Sequence, residues 1–331
     1  MEILDVVGID VSKLTIDAVV YQSKSYRQCE NSNKGFGALC RWALSQSKVD
    51  KKNLLFVFEH TGLYSHQLAL YLTNAELNFA MVPGLEIKRS LGISRGKDDK
   101  IDAAKIARYA YRLRSEITVT TLASHEIQEI KHLLTLRDRM VKQRAGYKAS
   151  LKEMKRVLKS KDNAVLFSVQ KKLVSSLDKQ ISIIEDEMKE IIRGDDKLKL
   201  FFDLMTSISG IGSQTALYMI VLTEGFTRFN NSRAFASYSG IAPFPNSSGT
   251  SIRGKTKVSN LANKKMKSLL DLAAKSAIQY NQEMKQYYER RIEEGKPKMS
   301  TINIIRNKLV GRIFAVINRG TPYVNTMKYA S

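Results

Sequence analysis

Hydrophobic and polar positions change rhythm twice along the chain. Ile3–Asp10 is an apolar run ending in Gly8-Ile9-Asp10, Leu14–Tyr21 alternates as a strand does, and Ser25–Asn31 predicts a third strand. Phe36–Leu44 has helical spacing, and Leu54–Glu59 is a dense apolar strand followed by Thr61-Gly62. The pattern then predicts a helix over Tyr64–Leu72, a short strand over Leu77–Val82 stopped by Pro83-Gly84, and a helix over Asp102–Arg112. In that last helix Ile101, Ala104, Ile106 and Tyr109 are available for packing. Three early strands followed by alternating helices and strands fit a mixed α/β sheet covered by helices.

From about His125 to Arg193 proline and glycine nearly vanish, and apolar residues recur at three- and four-residue steps. Leu173, Leu177, Ile181, Ile184, Met188 and Ile191 form a heptad-like seam. The segment Ile127–Leu158 is a poorer seam, interrupted by Arg137, Arg144 and Lys148, with a break at Lys161-Asp162-Asn163. An antiparallel helical hairpin and a dimerising coiled coil both satisfy this pattern. The remainder reads as mostly helical, with a glycine-punctuated turn at Gly210-Ile211-Gly212, a Ser/Gly/Pro-rich loop over Ser239–Lys255, a basic helical stretch from Ser259 and a last amphipathic helix over Asn303–Val316. These shifts divide the chain into residues 1–120 (α/β), 121–195 (coiled-coil linker) and 196–331 (helical, with the serine loop).

Charge narrows the class. The 331 residues carry a formal net charge of +22, yet the first hundred hold 13 Lys and Arg against 11 Asp and Glu. The excess therefore belongs to the rest of the chain, which points to a polyanionic partner. Cys29 and Cys40 are the two cysteines and lack metal-ligand spacing, so neither a disulfide framework nor a zinc site is expected. No apolar stretch reaches about 18 residues and no signal-peptide pattern opens the sequence, which predicts a cytoplasmic protein with no membrane partner.

Against that basic background, Lys97-Asp98-Asp99-Lys100-Ile101-Asp102-Ala103 clusters three carboxylates, and Asp10 and Glu59 each end an apolar strand. Crowded carboxylates persist where a hard cation neutralises them, so the acids predict a Mg²⁺ site for phosphodiester chemistry. Gly210 and Gly212 resemble the turn of a helix-hairpin-helix, which aims backbone N–H groups at a phosphate; a tight turn between packed helices has the same composition. Arg253, Lys255, Lys257, Lys264 and Lys265 offer phosphate contacts rather than base readout.

The order Gly8-Ile9-Asp10-Val11-Ser12-Lys13, Glu59-His60-Thr61-Gly62-Leu63-Tyr64 and Lys97–Ala103 resembles the RuvC-like, RNase H-like domain of the DEDD insertion-sequence transposases. That family is similar to the Piv DNA invertases and includes bridge-RNA-guided serine recombinases. Tyr238-Ser239-Gly240-Ile241-Ala242-Pro243, then Ser248-Gly249 and Arg253-Gly254, resembles the family's C-terminal transposase domain. The resemblance implies a DNA transposase or recombinase in which Asp10, Glu59, Asp99 and Asp102 hold Mg²⁺ and Ser248 is the nucleophile. It also implies donor and target DNA, a structured guide RNA, and a homo-oligomer (dimer or tetramer). Asp98 competes with Asp99, since either shares a helical face with Asp102, and Ser247 competes with Ser248. The rival reading is a junction resolvase using the same acids with water as nucleophile. A tyrosine recombinase is disfavoured because His60, His66, His125 and His132 leave the C-terminal half without histidine.

Overall fold

The computed structural model describes residues 2–60, 62–90, 98–159, 161–248 and 252–325; the side chains of residues 63, 246–248, 252, 253 and 255 lie outside that description. The chain divides into two compact units, Met1–Leu122 and Ala123–Ser331.

The first unit is built on β1 (Asp5–Val11), β2 (Thr15–Val20), β3 (Tyr26–Glu30), β4 (Leu54–Glu59) and β5 (Asn78–Val82). They form one sheet in the order β3-β2-β1-β4-β5. The β1–β2 and β2–β3 pairs are antiparallel, whereas β1–β4 and β4–β5 are parallel. Helices α1 (Asn33–Ser47), α2 (Leu63–Asn74), α3 (Gly84–Ser90) and α4 (Asp99–Arg112) complete the unit. Strand alternation sorts the side chains into two cores. Val7, Ile9, Ile16, Ala18, Phe56 and Phe58 pack with Phe36, Leu39 and Leu68 of α1 and α2. The opposite face places Val6, Leu55 and Val57 against Ile106, Tyr109 and Ala110 of α4.

Helix α4 starts three residues before the expected Asp102. Asp98 is extended, and its carboxylate accepts the Lys100 backbone N–H at 3.3 Å, an N-cap that fixes the first turn. The buried face accordingly falls on Ala103, Ile106, Ala107, Tyr109 and Ala110, and Ile101, expected to pack, is exposed.

The second unit opens with two long helices, α5 (His125–Val157) and α6 (Ala164–Gly194). Arg137 pairs with Glu185 and Arg144 with Asp178, each at 2.6 Å, and Lys148 reaches Asp178 at 3.7 Å. As the first partner advances the second retreats, the signature of an antiparallel hairpin within one chain. The cations that spoil the α5 seam are thus cross-hairpin ion pairs, solvent-facing and individually weak. In α6 the seam is buried at Ile181, Ile184 and Met188, while Leu173 is exposed. Helices α7 (Asp196–Thr206), α8 (Ser213–Thr223), α9 (Ser232–Tyr238), α10 (Lys264–Tyr280), α11 (Gln282–Glu293) and α12 (Lys298–Arg319) share one core with the base of that hairpin. The expected serine loop is instead largely a β-hairpin, β6 (Pro243–Ser248) with β7 (Ile252–Val258). Among the described residues no helix is long and apolar enough to cross a membrane.

Candidate active site

The register of the sheet decides which acids meet. Asp10 stands opposite Asp17 and Gly8 opposite Val19 in the β1–β2 pair, so all four point to the α4 face. Ile9 pairs with Phe58 in the parallel β1–β4 ladder; one residue on, Asp10 is the penultimate residue of β1 and Glu59 the last of β4. Alternation turns Glu59 to that face and His60 away from it; His60 accepts the Gly62 N–H at 3.4 Å through Nδ1. Glu59 is seated by a small residue: a Cβ on Gly84 would lie 1.7 Å from its Oε1.

Helix α4 delivers the remaining acids because Gly8 lets it approach. A Cβ on Gly8 would stand 2.1 Å from the Ala107 backbone nitrogen and 2.5 Å from the Ala103 carbonyl oxygen. Ala103 follows Asp102 directly, so this contact sets the first turn of α4 beside the ends of β1 and β4. Lys100 of the same turn holds its Nζ 5.0 Å from the Tyr26 ring centroid on β3.

Electrostatics report the convergence. The Asp10 carboxyl is pushed up to about 6, first by burial and then by the charges of Asp99, Asp102, Asp17 and Glu59. Asp102 is partly compensated by Lys105 Nζ at 2.8 Å. The Asp98 carboxylate is engaged in capping α4, which distinguishes it from Asp99. No motif marks Asp17, yet it is 1% exposed, between Ile16 and Ala18. A lone carboxylate inside an apolar strand is itself the signal that sequence could have offered. Among the described residues no three Asp, Glu, His or Cys side chains lie close enough to hold a metal ion as they stand. The donor set still fits a hard divalent cation, because it is all oxygen and its accumulated negative charge is largely uncompensated around Asp10.

In the second unit the β6–β7 hairpin grows from a firmly held root. Ser239 is fully buried, its hydroxyl donating to the Phe235 carbonyl at 2.9 Å. Gly240 has φ +67°, and a Cβ there would lie 2.3 Å from the Ala262 Cβ. The Ile241 carbonyl accepts from Asn303 at 2.8 Å and Asn307 at 3.0 Å, both on α12. Ser248 pairs with Ile252 and Ser247 with Arg253 through the backbone. The side chains of Ser247, Ser248, Arg253 and Lys255, like Lys97 of the acidic motif, fall outside the described residues.

Lys257 and Lys264 are exposed. Lys265 is not a free cation: its Nζ lies 2.6 Å from Asp138 of α5, whose other oxygen accepts the Tyr218 hydroxyl at 2.5 Å. Gly210 has φ +96°, and a Cβ would meet the Ala273 carbonyl at 2.6 Å, so packing against α10 accounts for this glycine. Gly212 precedes α8 with open space where a Cβ would stand and with no side-chain cap on the helix.

Comparison with known proteins agrees with this layout. Residues 7–159 match the DEDD family of IS110 transposases, described as "Transposase", and residues 203–289 match the "Transposase IS116/IS110/IS902 family". The chain is 27% identical over 328 residues to the pilin gene-inverting protein of Moraxella lacunata, covering 96% of this chain and 97% of that one. The protein of the same name from Moraxella bovis matches to the same extent. An insertion element IS110 uncharacterized 43.6 kDa protein of Streptomyces coelicolor is 30% identical over 124 residues, 38% of this chain and 30% of that one.

Proposed function

This chain belongs to the IS110 family of transposases, and from that premise we propose that it is a Mg²⁺-dependent DNA recombinase that cuts and rejoins strands through a phosphoserine at Ser248. The family implies DNA cleavage and use of a divalent metal. The observation that supports the reading is the shared face of the sheet: Asp10 on β1 and Glu59 on β4 turn to the side covered by α4, which carries Asp99 and Asp102, and the charges of all three raise the half-buried Asp10 carboxyl. The mixed sheet order β3-β2-β1-β4-β5, with acids at the ends of adjacent parallel strands, supports the RuvC-like, RNase H-like assignment.

Asp10, Glu59, Asp99 and Asp102 would hold Mg²⁺. A cation held by them would supply Lewis-acid polarisation of the scissile phosphate and charge stabilisation for the leaving oxygen. Ser248 Oγ attacks phosphorus: the Oγ–P bond forms, the bond from phosphorus to the departing deoxyribose oxygen breaks, and the serine proton passes to a carboxylate, which returns a proton to the departing oxygen. The phosphoserine keeps the phosphodiester energy for rejoining. Asp102 is steadied by Lys105, and Asp98 keeps the first turn of α4 in place. The word "inverting" in the names of the Moraxella relatives suits a reaction that breaks and reseals strands.

Positive charge concentrated after residue 100 supports extensive phosphate contact; donor and target DNA and a structured guide RNA are the partners that the family resemblance implies. The proposed acids lie in the first unit and Ser248 in the second, so the reading draws its catalytic groups from both units, within one chain or between protomers of a homo-oligomer.

Purified protein incubated with recombination substrates, Mg²⁺ and the flanking transcript tests the reading. A covalent protein–DNA adduct mapping to Ser248, lost in Ser248→Ala, is expected. Cleavage undiminished in Ser248→Ala would favour the junction-resolvase reading with water as nucleophile. Mixing Asp10→Asn and Ser248→Ala chains should restore activity if the halves act between protomers. Equal affinity for the transcript and for an unrelated RNA of matched length would remove the guide RNA.

A further inference from the structure

Asp17 lies outside the four-acid motif, and its surroundings are those of a working group rather than a packing accident. It sits on β2 directly across from Asp10, on the same face of the sheet. Both hydrogen bonds that reach it go to one oxygen: the Tyr26 hydroxyl donates to Oδ1 at 2.6 Å and the Gln28 amide donates to Oδ1 at 3.0 Å. The other oxygen, Oδ2, is buried and has no hydrogen-bond partner. The residue as a whole is 1% exposed.

A buried carboxylate oxygen without a partner is costly and calls for an explanation, a bound cation among them. Two donors on Oδ1 fix the side-chain rotation. They leave Oδ2 as the sole oxygen able to respond to a ligand on the α4 face, where Asp10 stands. Neighbouring strands offer no substitute: Val19 packs with Ala103 and Ala107, and Tyr26 and Gln28 already donate to Oδ1. The Tyr26 ring in turn is approached by Lys100 of α4, so the Asp17–Tyr26 pair lies beside the turn that carries Asp99 and Asp102.

We propose that Asp17 is a fifth carboxylate of the acid site, its Oδ2 a further oxygen donor to the divalent cation, with Tyr26 and Gln28 as the residues that orient it. This rests on the proposed metal-binding role of Asp10, and the experiment separates the two. Asp17→Asn is well suited: Oδ1 still accepts from Tyr26 and Gln28, and only the unpartnered oxygen becomes an amide nitrogen.

Mn²⁺ affinity of the full-length, metal-stripped protein, read by electron paramagnetic resonance of the free ion, should fall about 10- to 100-fold in Asp17→Asn, the scale expected for losing a ligand's partner or a donor. Asp10→Asn is the reference. If Asp10→Asn abolishes Mn²⁺ binding and Asp17→Asn leaves it unchanged, Asp17 is structural and the proposal falls alone. If neither variant changes binding, the metal-site reading itself falls. Should Asp17→Asn fail to fold, crystals of the wild-type chain soaked in Mn²⁺ decide. An anomalous peak within coordination distance of Asp17 Oδ2 upholds the proposal, and a peak on Asp10 that Oδ2 does not reach overturns it.

Discussion

Gly8 and Ala107 touch backbone to backbone: a Cβ on the glycine would lie 2.1 Å from the Ala107 nitrogen. The neighbour is a main-chain atom of a packed helix and has no way to step aside, so any side chain at residue 8 must push α4 off the sheet. Gly8→Val is expected to destabilise the first unit by about 3 kcal/mol or more, beyond the usual overpacking range of about 1–3 kcal/mol. Chemical denaturation checks the stability. Strand cleavage should vanish even in the fraction that folds, since α4 brings Asp99 and Asp102 to Asp10.

Asp10 makes the metal-free protein pH-sensitive in a definite direction. Its carboxyl is pushed from 3.8 to about 6 in the folded chain, chiefly by burial and then by the surrounding acids. The folded state therefore binds more protons than the unfolded state between those values, and stability falls as pH rises through that window. Asp10→Asn should melt higher than the wild type at pH 7 without metal, and the advantage should disappear below about pH 4. Adding Mn²⁺ or Mg²⁺ should raise the wild-type melting temperature and leave that of Asp10→Asn unmoved. Differential scanning calorimetry across pH 4–8 reads both effects.

Two glycines two positions apart should respond oppositely. Gly210→Ala places a Cβ 2.6 Å from the Ala273 carbonyl at a φ of +96°, and is expected to cost about 2 kcal/mol or more in stability. Gly212→Ala meets open space, and should leave the melting temperature within a degree or two. If Gly212 admits a phosphate, Gly212→Ala weakens DNA binding in a filter assay, and Gly212→Ser, which adds a helix cap that α8 lacks, weakens it likewise.

Lysine contributions should separate by partner. Lys264 is exposed, and Lys264→Ala should lower the slope of log affinity against log salt by about one. Lys265 is held by Asp138, so Lys265→Ala should change that slope less. Its loss leaves the Tyr218–Asp138 pair in place, and fluorescence anisotropy at graded salt distinguishes the two lysines.

Buried charge offers a stability test in the second unit. Arg306 is 5% exposed and bonds Asp271 across α10 and α12, and its Nε has no partner. Asp271→Ala is expected to cost about 3–5 kcal/mol by stranding the guanidinium, whereas replacing both residues by apolar ones of similar size should cost less. Equilibrium unfolding of the single and double variants measures the difference.

What the sequence made legible follows from local rules. Asp10 and Glu59 could be read because each ends an apolar run, and a strand end is where a charged side chain reaches solvent. The start of α4 was displaced because three aspartates in five positions all satisfy the preference for an N-cap, and only the geometry selects Asp98. The β6–β7 hairpin hid behind Pro243, Pro245, Ser247 and Gly254, a composition that local reading assigns to loops. Arg137 and Arg144 looked like flaws in a seam because their partners, Glu185 and Asp178, lie on another helix. Asp17 matters through what stands across from it, and opposition between strands is a property of register that no single segment displays.

The parallel join between β1 and β4, which sets Val7 beside Phe56, has a consequence for biosynthesis. An emerging polypeptide can close the β1–β2–β3 meander early and set Asp17 across from Asp10, but Glu59, Asp99 and Asp102 join them only once the fourth strand inserts and α4 follows. Slow, long-range closure of this kind acts as a timer. On the proposed function, a nascent chain that stops before α4 lacks Asp99 and Asp102, and with them half of the four-acid set.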